Sequence, residues 1–237
     1  MRLIKRGRLA ASSCGADVKL SVEGAFRIVE DMVTELMGDQ NIDGVTCMRE
    51  YGGMWVFVRN RIEMPQPLDW MDEYTVTSYI SSFSKIRLYI DTVLQKADGS
   101  IALKSRLELC AVDLETGKIR KSESVGVGEK TPAEEPMFEI AYSKEKPVRG
   151  DLTDEVTVRS ADIDYCHHTN NVAYVRYFMN QIDVDDLIGN PVTAIEVQYA
   201  AQTYEGDKLS IYRCNSENEA FVIEKDGAKV VSCIITR

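Results

Sequence analysis

The sequence predicts an α+β protein in which a helix lying against an antiparallel sheet is repeated in tandem. Three observations predict it. Two segments carry a helical stripe of apolar residues. A series of short apolar or β-branched runs follows each of them. Each series contains an Asp-Gly turn between runs.

The first stripe runs through Val22, Ala25, Phe26, Val29, Val33, Leu36 and Met37, at three- and four-residue spacing, with Ser21 as a fitting N-cap. The second runs through Val172, Val175, Phe178, Met179 and Ile182, with Asn170 or Asn171 able to supply an oxygen to the free N–H groups of the first turn. Between Met54 and Asp113 the runs MWVFVRNRIEM, YTVTSYI, IRLYIDTVLQ and IALKSRLELCAV read as strands. Between Ala194 and Arg237 the same reading applies to AIEVQYAAQTY, KLSIYRC, AFVIEK and AKVVSCIITR. Asp98-Gly99 and Asp226-Gly227 are favoured hairpin turns, because both residue types tolerate positive φ.

The stretch from Lys121 to Glu155 is charged and carries Pro132, Pro136 and Pro147, the composition of a linker. Expected boundaries are therefore 1–120 for the first domain, 121–154 for the linker and 155–237 for the second domain. Within the linker, Gly126–Thr131 (GVGEKT) imitates the tail of a phosphate-binding loop. Glu129 stands where that loop needs glycine, and no apolar strand leads in, so this reading is set aside. A helix wrapped by a curved antiparallel sheet is the form of a hot-dog fold, and two in one chain make a tandem, or double, hot-dog. The two halves share little sequence, so the repeat rests on the order of elements.

Composition narrows the function classes. The 237 residues are 44% hydrophobic and 28% charged, ordinary for a globular chain. A net charge of −10 opposes general nucleic-acid binding, which depends on neutralising phosphates with Lys and Arg. An acidic protein partner would need a local basic patch, for which Lys5, Arg6 and Arg8, or Lys118, Arg120 and Lys121, are the candidates. No run approaches the length of a membrane helix, and the basic start is not followed by an apolar stretch, so neither membrane nor export is expected. Six scattered cysteines without C-x-x-C spacing fit reduced thiols in the cytoplasm.

The reactive residues concentrate in ADIDYCHHTNNVAYVRYF, residues 161–178. Both histidines of the chain, His167 and His168, stand here, beside Asp162, Asp164, Cys166, Asn170 and Asn171. The segment leads from a strand ending near Ser160 into a helix N-terminus, which offers N–H groups to a carbonyl oxygen gaining negative charge. Asp164 can act as a base or orient an imidazole. His168 can take and return protons near neutral pH. Cys166 is a nucleophile only where a neighbour lowers its pKa. Three consecutive residues cannot easily converge on one tetrahedral ion, and no second Cys/His cluster exists, so no metal is expected. Asp and Asn also favour turns and caps for purely structural reasons.

The pattern D-x-D-x-x-x-H-x-N-N-x-x-Y, present as Asp162, Asp164, His168, Asn170, Asn171 and Tyr174, resembles the active-site segment of acyl-acyl carrier protein thioesterases. The first half adds GGMWVFVRNRIEM followed by PLDW, similar to a second feature of that family. The resemblance implies hydrolysis of fatty acyl-carrier-protein thioesters in fatty acid biosynthesis, without a cofactor, with acyl carrier protein as partner. A homodimer is one arrangement open to such a chain. It also implies catalysis by Asp164 and His168 on water, with Cys166 as nucleophile in a second scheme. Asn170, Asn171, Gln202 and His167 would contact or shape the substrate site. Cys166 replaces the family's usual Asn, and Gln202 replaces a Glu typical of plant members, so the plant scheme does not transfer whole. The first half, lacking any histidine, would shape the acyl pocket, with Phe26, Val29, Met32 and Val33 as candidate lining. A related coenzyme A thioesterase and a non-catalytic acyl-thioester-binding protein are the alternatives. A hot-dog dehydratase would set its His before a Pro- and Gly-rich stretch, which HHTNNVAY lacks.

Overall fold

The computed structural model describes residues 2–128 and 133–237. The chain divides into two compact units, Met1–Ala141 and Tyr142–Arg237.

In the first unit, helix α1 (Val22–Asp39) begins where expected: Ser21 Oγ accepts from the Gly24 N–H at 3.0 Å. Its stripe is fully used, with Phe26, Val29, Val33 and Leu36 at most 1% exposed. The helix packs against an antiparallel sheet in the order β1-β3-β4-β5-β2, comprising β1 (Arg2–Arg8), β2 (Gly53–Glu63), β3 (Glu73–Phe83), β4 (Leu88–Lys96) and β5 (Ile101–Asp113). Four of these five strands coincide with the expected runs. Strand β1 was not anticipated. It is an edge strand that pairs with β3 alone among the described residues, and its residues are mostly exposed, so no apolar alternation marks it.

A second helix, α2 (Gly44–Tyr51), was also not anticipated. It buries Cys47 alone and so has no stripe. Its signals were its ends: Asp43 accepts from the N–H groups of Val45 and Thr46, and Gly52 closes it at φ 61°. Trp55, from the motif that resembles the family's first-half feature, donates to the Ile42 carbonyl at 2.7 Å and packs against the Cys47–Ala111–Val125 cluster.

Much of the stretch expected as a linker belongs to this unit. Ser122–Val125 form a 3-10 turn. Further on, Tyr79 Oη accepts from the Met137 N–H at 2.7 Å, Lys104 donates to the Glu139 carbonyl, and Arg106 donates to that of Ile140. Arg106 also holds the fully buried Asp91 through two hydrogen bonds of 2.8 and 2.7 Å. The GVGEKT decoy runs from Gly126–Gly128 into residues outside those described.

The second unit has the same form. Its sheet runs β7-β10-β9-β8-β6, all antiparallel: β6 (Arg149–Thr157), β7 (Ala194–Tyr199), β8 (Lys208–Cys214), β9 (Glu219–Lys225) and β10 (Ala228–Thr236). The strand expected to end near Ser160 is β6, which stops at Thr157; its start lies inside the segment read as linker, where its exposed residues carry no apolar alternation. Asp226 and Gly227 both adopt positive φ, 52° and 77°, in the β9–β10 hairpin, as their types favour. Each unit is thus a hot-dog. The expectation of a long helix in both halves needs correction, because α3 covers Asn171–Met179 only. A separate short helix, α4 (Val184–Gly189), follows it. Ile182, read as part of the stripe, is buried but lies beyond the end of α3.

Candidate functional site

The loop that enters α3 begins with a 3-10 turn, Ser160–Asp162, followed by a one-residue bridge between Ile163 and Thr169. Residues 164–168 form a tight turn between the bridge partners. The Asp164 N–H donates to the His168 carbonyl at 2.9 Å, and the His167 N–H donates to the Asp164 carbonyl at 3.0 Å. His167 takes φ 63° to complete the turn and its side chain is exposed. Asp164 Oδ1 accepts from the N–H of Cys166 at 2.8 Å and from that of His168 at 3.4 Å. One carboxylate oxygen therefore shapes the turn, while Oδ2 makes no hydrogen bond among the described residues.

Cys166 is half-buried. Burial and then the neighbouring Asp164 carboxylate push its thiol above the ordinary range. That is the reverse of what a nucleophilic thiol needs.

Asp162 is buried and anchors the loop from below. It takes the Arg159 N–H at 2.8 Å and an ion pair from Arg176, and its carbonyl accepts the Asn170 N–H at 2.7 Å. Burial and the nearby Asp162 carboxylate raise the Tyr177 phenol far above its usual pKa. Asn170 is the N-cap of α3, its Oδ1 accepting from the Val172 N–H at 2.7 Å. The Ala173 N–H reaches the Asn170 carbonyl. Among the described residues the Asn171 N–H is left unused at this helix end, available to a developing oxyanion.

A second segment, 200–207, meets this loop. The Thr169 N–H donates to the Thr203 carbonyl at 2.9 Å, which sets His168 and Gln202 on adjacent stretches of chain. The His168 ring lies edge-on to Tyr204, centroids 5.3 Å apart. Gln202 is exposed just beyond β7, and its side chain makes no hydrogen bond among the described residues. The loop thus brings Asp164, Cys166, His168, Asn170 and Asn171 together and sets Gln202 alongside; His167 points to solvent. Tyr204 and the Thr169–Thr203 pair escaped the sequence reading, because nothing local distinguishes a buried threonine from an exposed one.

The first unit contains a loop with the same pattern of backbone hydrogen bonds. The 3-10 turn Ala11–Ser13 is followed by the bridge Cys14–Leu20, a turn with Val18 at φ 63°, and the cap Ser21. Gly15 bonds Lys19 as Asp164 bonds His168. Ser21 bonds the Ser13 carbonyl as Asn170 bonds that of Asp162. Leu20 bonds the Leu68 carbonyl as Thr169 bonds that of Thr203. The repeat extends to the second segment, where the Asp69 N–H reaches Asp72 as the Tyr204 N–H reaches Asp207. Where the second unit has His168 against Tyr204, the first has a wide, exposed Lys19–Asp69 ion pair, 3.9 Å across. The frame is shared and the chemistry is not.

The four α1 residues expected to line an acyl pocket, Phe26, Val29, Met32 and Val33, are at most 3% exposed. A cavity of about 1220 Å³ opens elsewhere in the first unit, lined by Gln40, Ile42, Tyr51, Phe83 and Val127 among others. Of the two expected basic patches, the first is largely neutralised: Lys5 pairs with Glu35, and Arg8 with Glu73. In the second, Arg120 is turned onto the Tyr51 carbonyl. No helix among the described residues is long and apolar enough to cross a membrane.

Residues 145–234 match the model of the acyl-ACP thioesterase C-terminal domain, a span containing the whole loop and Gln202. The resemblance carried by Asp162–Tyr174 is borne out there. No curated protein matches the chain in sequence. Among solved structures, the chain resembles an acyl-ACP thioesterase from Bacteroides thetaiotaomicron at 18% identity and TM-score 0.88, covering 99% of this chain and 96% of that one. It also resembles a 12:0-ACP thioesterase from Umbellularia californica at 14% identity and TM-score 0.79, covering 99% and 96%. At these identities the likeness establishes the fold, end to end.

Proposed function

We propose that this chain, whose second unit carries an acyl-ACP thioesterase C-terminal domain, hydrolyses fatty acyl thioesters of acyl carrier protein to free fatty acid and carrier thiol. One observation carries the proposal: the matched domain coincides with the copy of the loop that holds His168, while the other copy has lysine there. Two loops of one geometry, one with His168 and the other with Lys19 at the same position, favour a single hydrolytic site per chain.

The chemistry is water attack on the thioester carbonyl. His168, held against Tyr204, takes the proton from water and returns it to the departing thiolate. The Asn171 N–H, at the positive end of α3, bonds the oxyanion. Asp164 holds the turn through Oδ1, and its free Oδ2 supports the attacking water. Asn170 serves as the cap that keeps this helix end in place. Cys166 is disfavoured as nucleophile by its raised thiol pKa. A cytoplasmic setting and acyl carrier protein as the natural carrier belong to the same proposal.

Thiol release from matched acyl-carrier-protein and acyl-coenzyme A substrates across chain lengths tests it, with His168→Ala alongside. Release from the carrier protein, lost in the variant, supports the proposal. Release mainly from coenzyme A moves the protein to the related coenzyme A thioesterases. Binding without release identifies a non-catalytic acyl-thioester protein.

A further inference from the structure

We infer that Tyr174, Thr203 and Thr169 form a positioning network, a buried line of three hydroxyls that fixes the His168 segment against the Gln202 segment. This rests on the reading of the loop as the hydrolytic site. Tyr174 Oη lies 2.6 Å from Thr203 Oγ1, which lies 2.6 Å from Thr169 Oγ1. All three residues are at most 5% exposed. At each of the two contacts one hydroxyl donates and the other accepts, and the central Thr203 takes part in both. Tyr174 is itself held by ring contacts with Tyr177 and Tyr199. The line begins on α3 and crosses through Thr203, next to Gln202. It ends at Thr169, next to His168.

The first unit supplies an internal control. In its copy of the loop the three positions are Ala25, Leu68 and Leu20, all at most 4% exposed, joined by the same backbone hydrogen bond, Leu20 N–H to Leu68 carbonyl at 2.8 Å. The frame therefore folds with apolar side chains at all three positions. Buried hydroxyls are the more demanding choice, since each must be hydrogen-bonded to offset its lost water. Apolar contact has no preferred direction and tolerates sliding; short hydrogen bonds fix separation and angle. The hydroxyls thus supply what the leucines cannot, a defined placement of His168 beside Gln202 and Tyr204. The copy with lysine in place of histidine does without them.

The test uses Thr203→Val, which exchanges the hydroxyl for a methyl group, Tyr174→Phe, and Thr203→Ser, which restores the hydroxyl. Retained circular dichroism and a cooperative melt establish folding. If Thr203→Val does not fold, Tyr174→Phe, which loses one oxygen, decides. Because the chain has two histidines, imidazole NMR resolves both, and the His168 signal is marked by the adjacent Tyr204 ring. In the Val and Phe variants the His168 resonances are expected to move and broaden while those of His167 stay, with Ser close to the parent. In the thioester assay kcat is expected to fall roughly ten- to hundred-fold with KM little changed, as for small displacements of a reacting group. Unaltered His168 resonances and unaltered kcat in both folded variants would overturn the inference, leaving the hydroxyls as core filling. A parent that hydrolyses no thioester defeats the functional proposal instead, and the NMR comparison then decides the network by itself.

Discussion

Asp164 and His168 are bonded to each other twice across one turn, once between their backbones and once from the His168 backbone to the Asp164 carboxylate. The Asp164 N–H donates to the His168 carbonyl at 2.9 Å, and the His168 N–H reaches back to Asp164 Oδ1 at 3.4 Å. A turn role and a catalytic role for this carboxylate are separable by substitution. Asparagine keeps an oxygen for the turn but removes the charge; alanine removes both. Asp164→Asn is expected to keep the parent melting temperature and lose activity by about 10²-fold, because the carboxylate that supports the attacking water beside the His168 base is gone. Asp164→Ala is expected to lose activity and also to melt lower. Full activity in the Asn variant would reduce Asp164 to a turn residue.

Cys166 is expected to be dispensable. Cys166→Ser should retain turnover within a few-fold, because a thiol held protonated does not attack. Alkylation of Cys166 provides the pH signature. The thiolate is the reacting form, so a raised pKa means slow labelling at pH 8 that accelerates as pH rises through 9 and beyond. Peptide mass spectrometry follows the rate; fast labelling at pH 7 would reopen the acyl-enzyme scheme.

The Asp162–Arg176 pair is structural on this reading. Asp162 is buried, and Arg176 retains 35% side-chain exposure, so water screens part of the interaction. Asp162→Asn is expected to cost about 2 kcal/mol in urea unfolding, less than a fully buried pair would lose. A loss of activity without loss of stability would instead place Asp162 in the chemistry.

Asn170 is expected to act through its side-chain oxygen. Asn170→Ala should destabilise by about 1 kcal/mol, while Asn170→Asp or Asn170→Ser should stay within a few tenths of the parent. If the Ser variant is stable yet inactive, the Asn170 amide contacts substrate directly.

The parts of the fold that were legible are those with a buried face. The α1 stripe from Val22 to Met37 and eight strands bury alternating or continuous apolar residues, and burial leaves a period in the sequence. Strand β1, the start of β6 and helix α2 bury little, so they leave none. Their order comes from hydrogen bonds to a neighbour, such as Arg2–Arg8 pairing along Tyr79–Glu73. The short α3 was overestimated because Ile182 continues its stripe after the helix has ended.

By itself the sequence marked the loop proposed to carry the chemistry: both histidines, two carboxylates and an Asn cap fall within a few residues at one helix entry. That is a local fact, and local facts can be read along the chain. Tertiary structure alone decided what stands opposite. Thr203 and Tyr204 lie far along the chain, beside the Gln202 that the family resemblance had named, and the bonds at Thr169 that select them are long-range. The repeat of the loop around Leu20 and Leu68 was hidden for a related reason. Its conserved content is backbone geometry, which Gly15, Val18 and Lys19 satisfy as well as Asp164, His167 and His168 do.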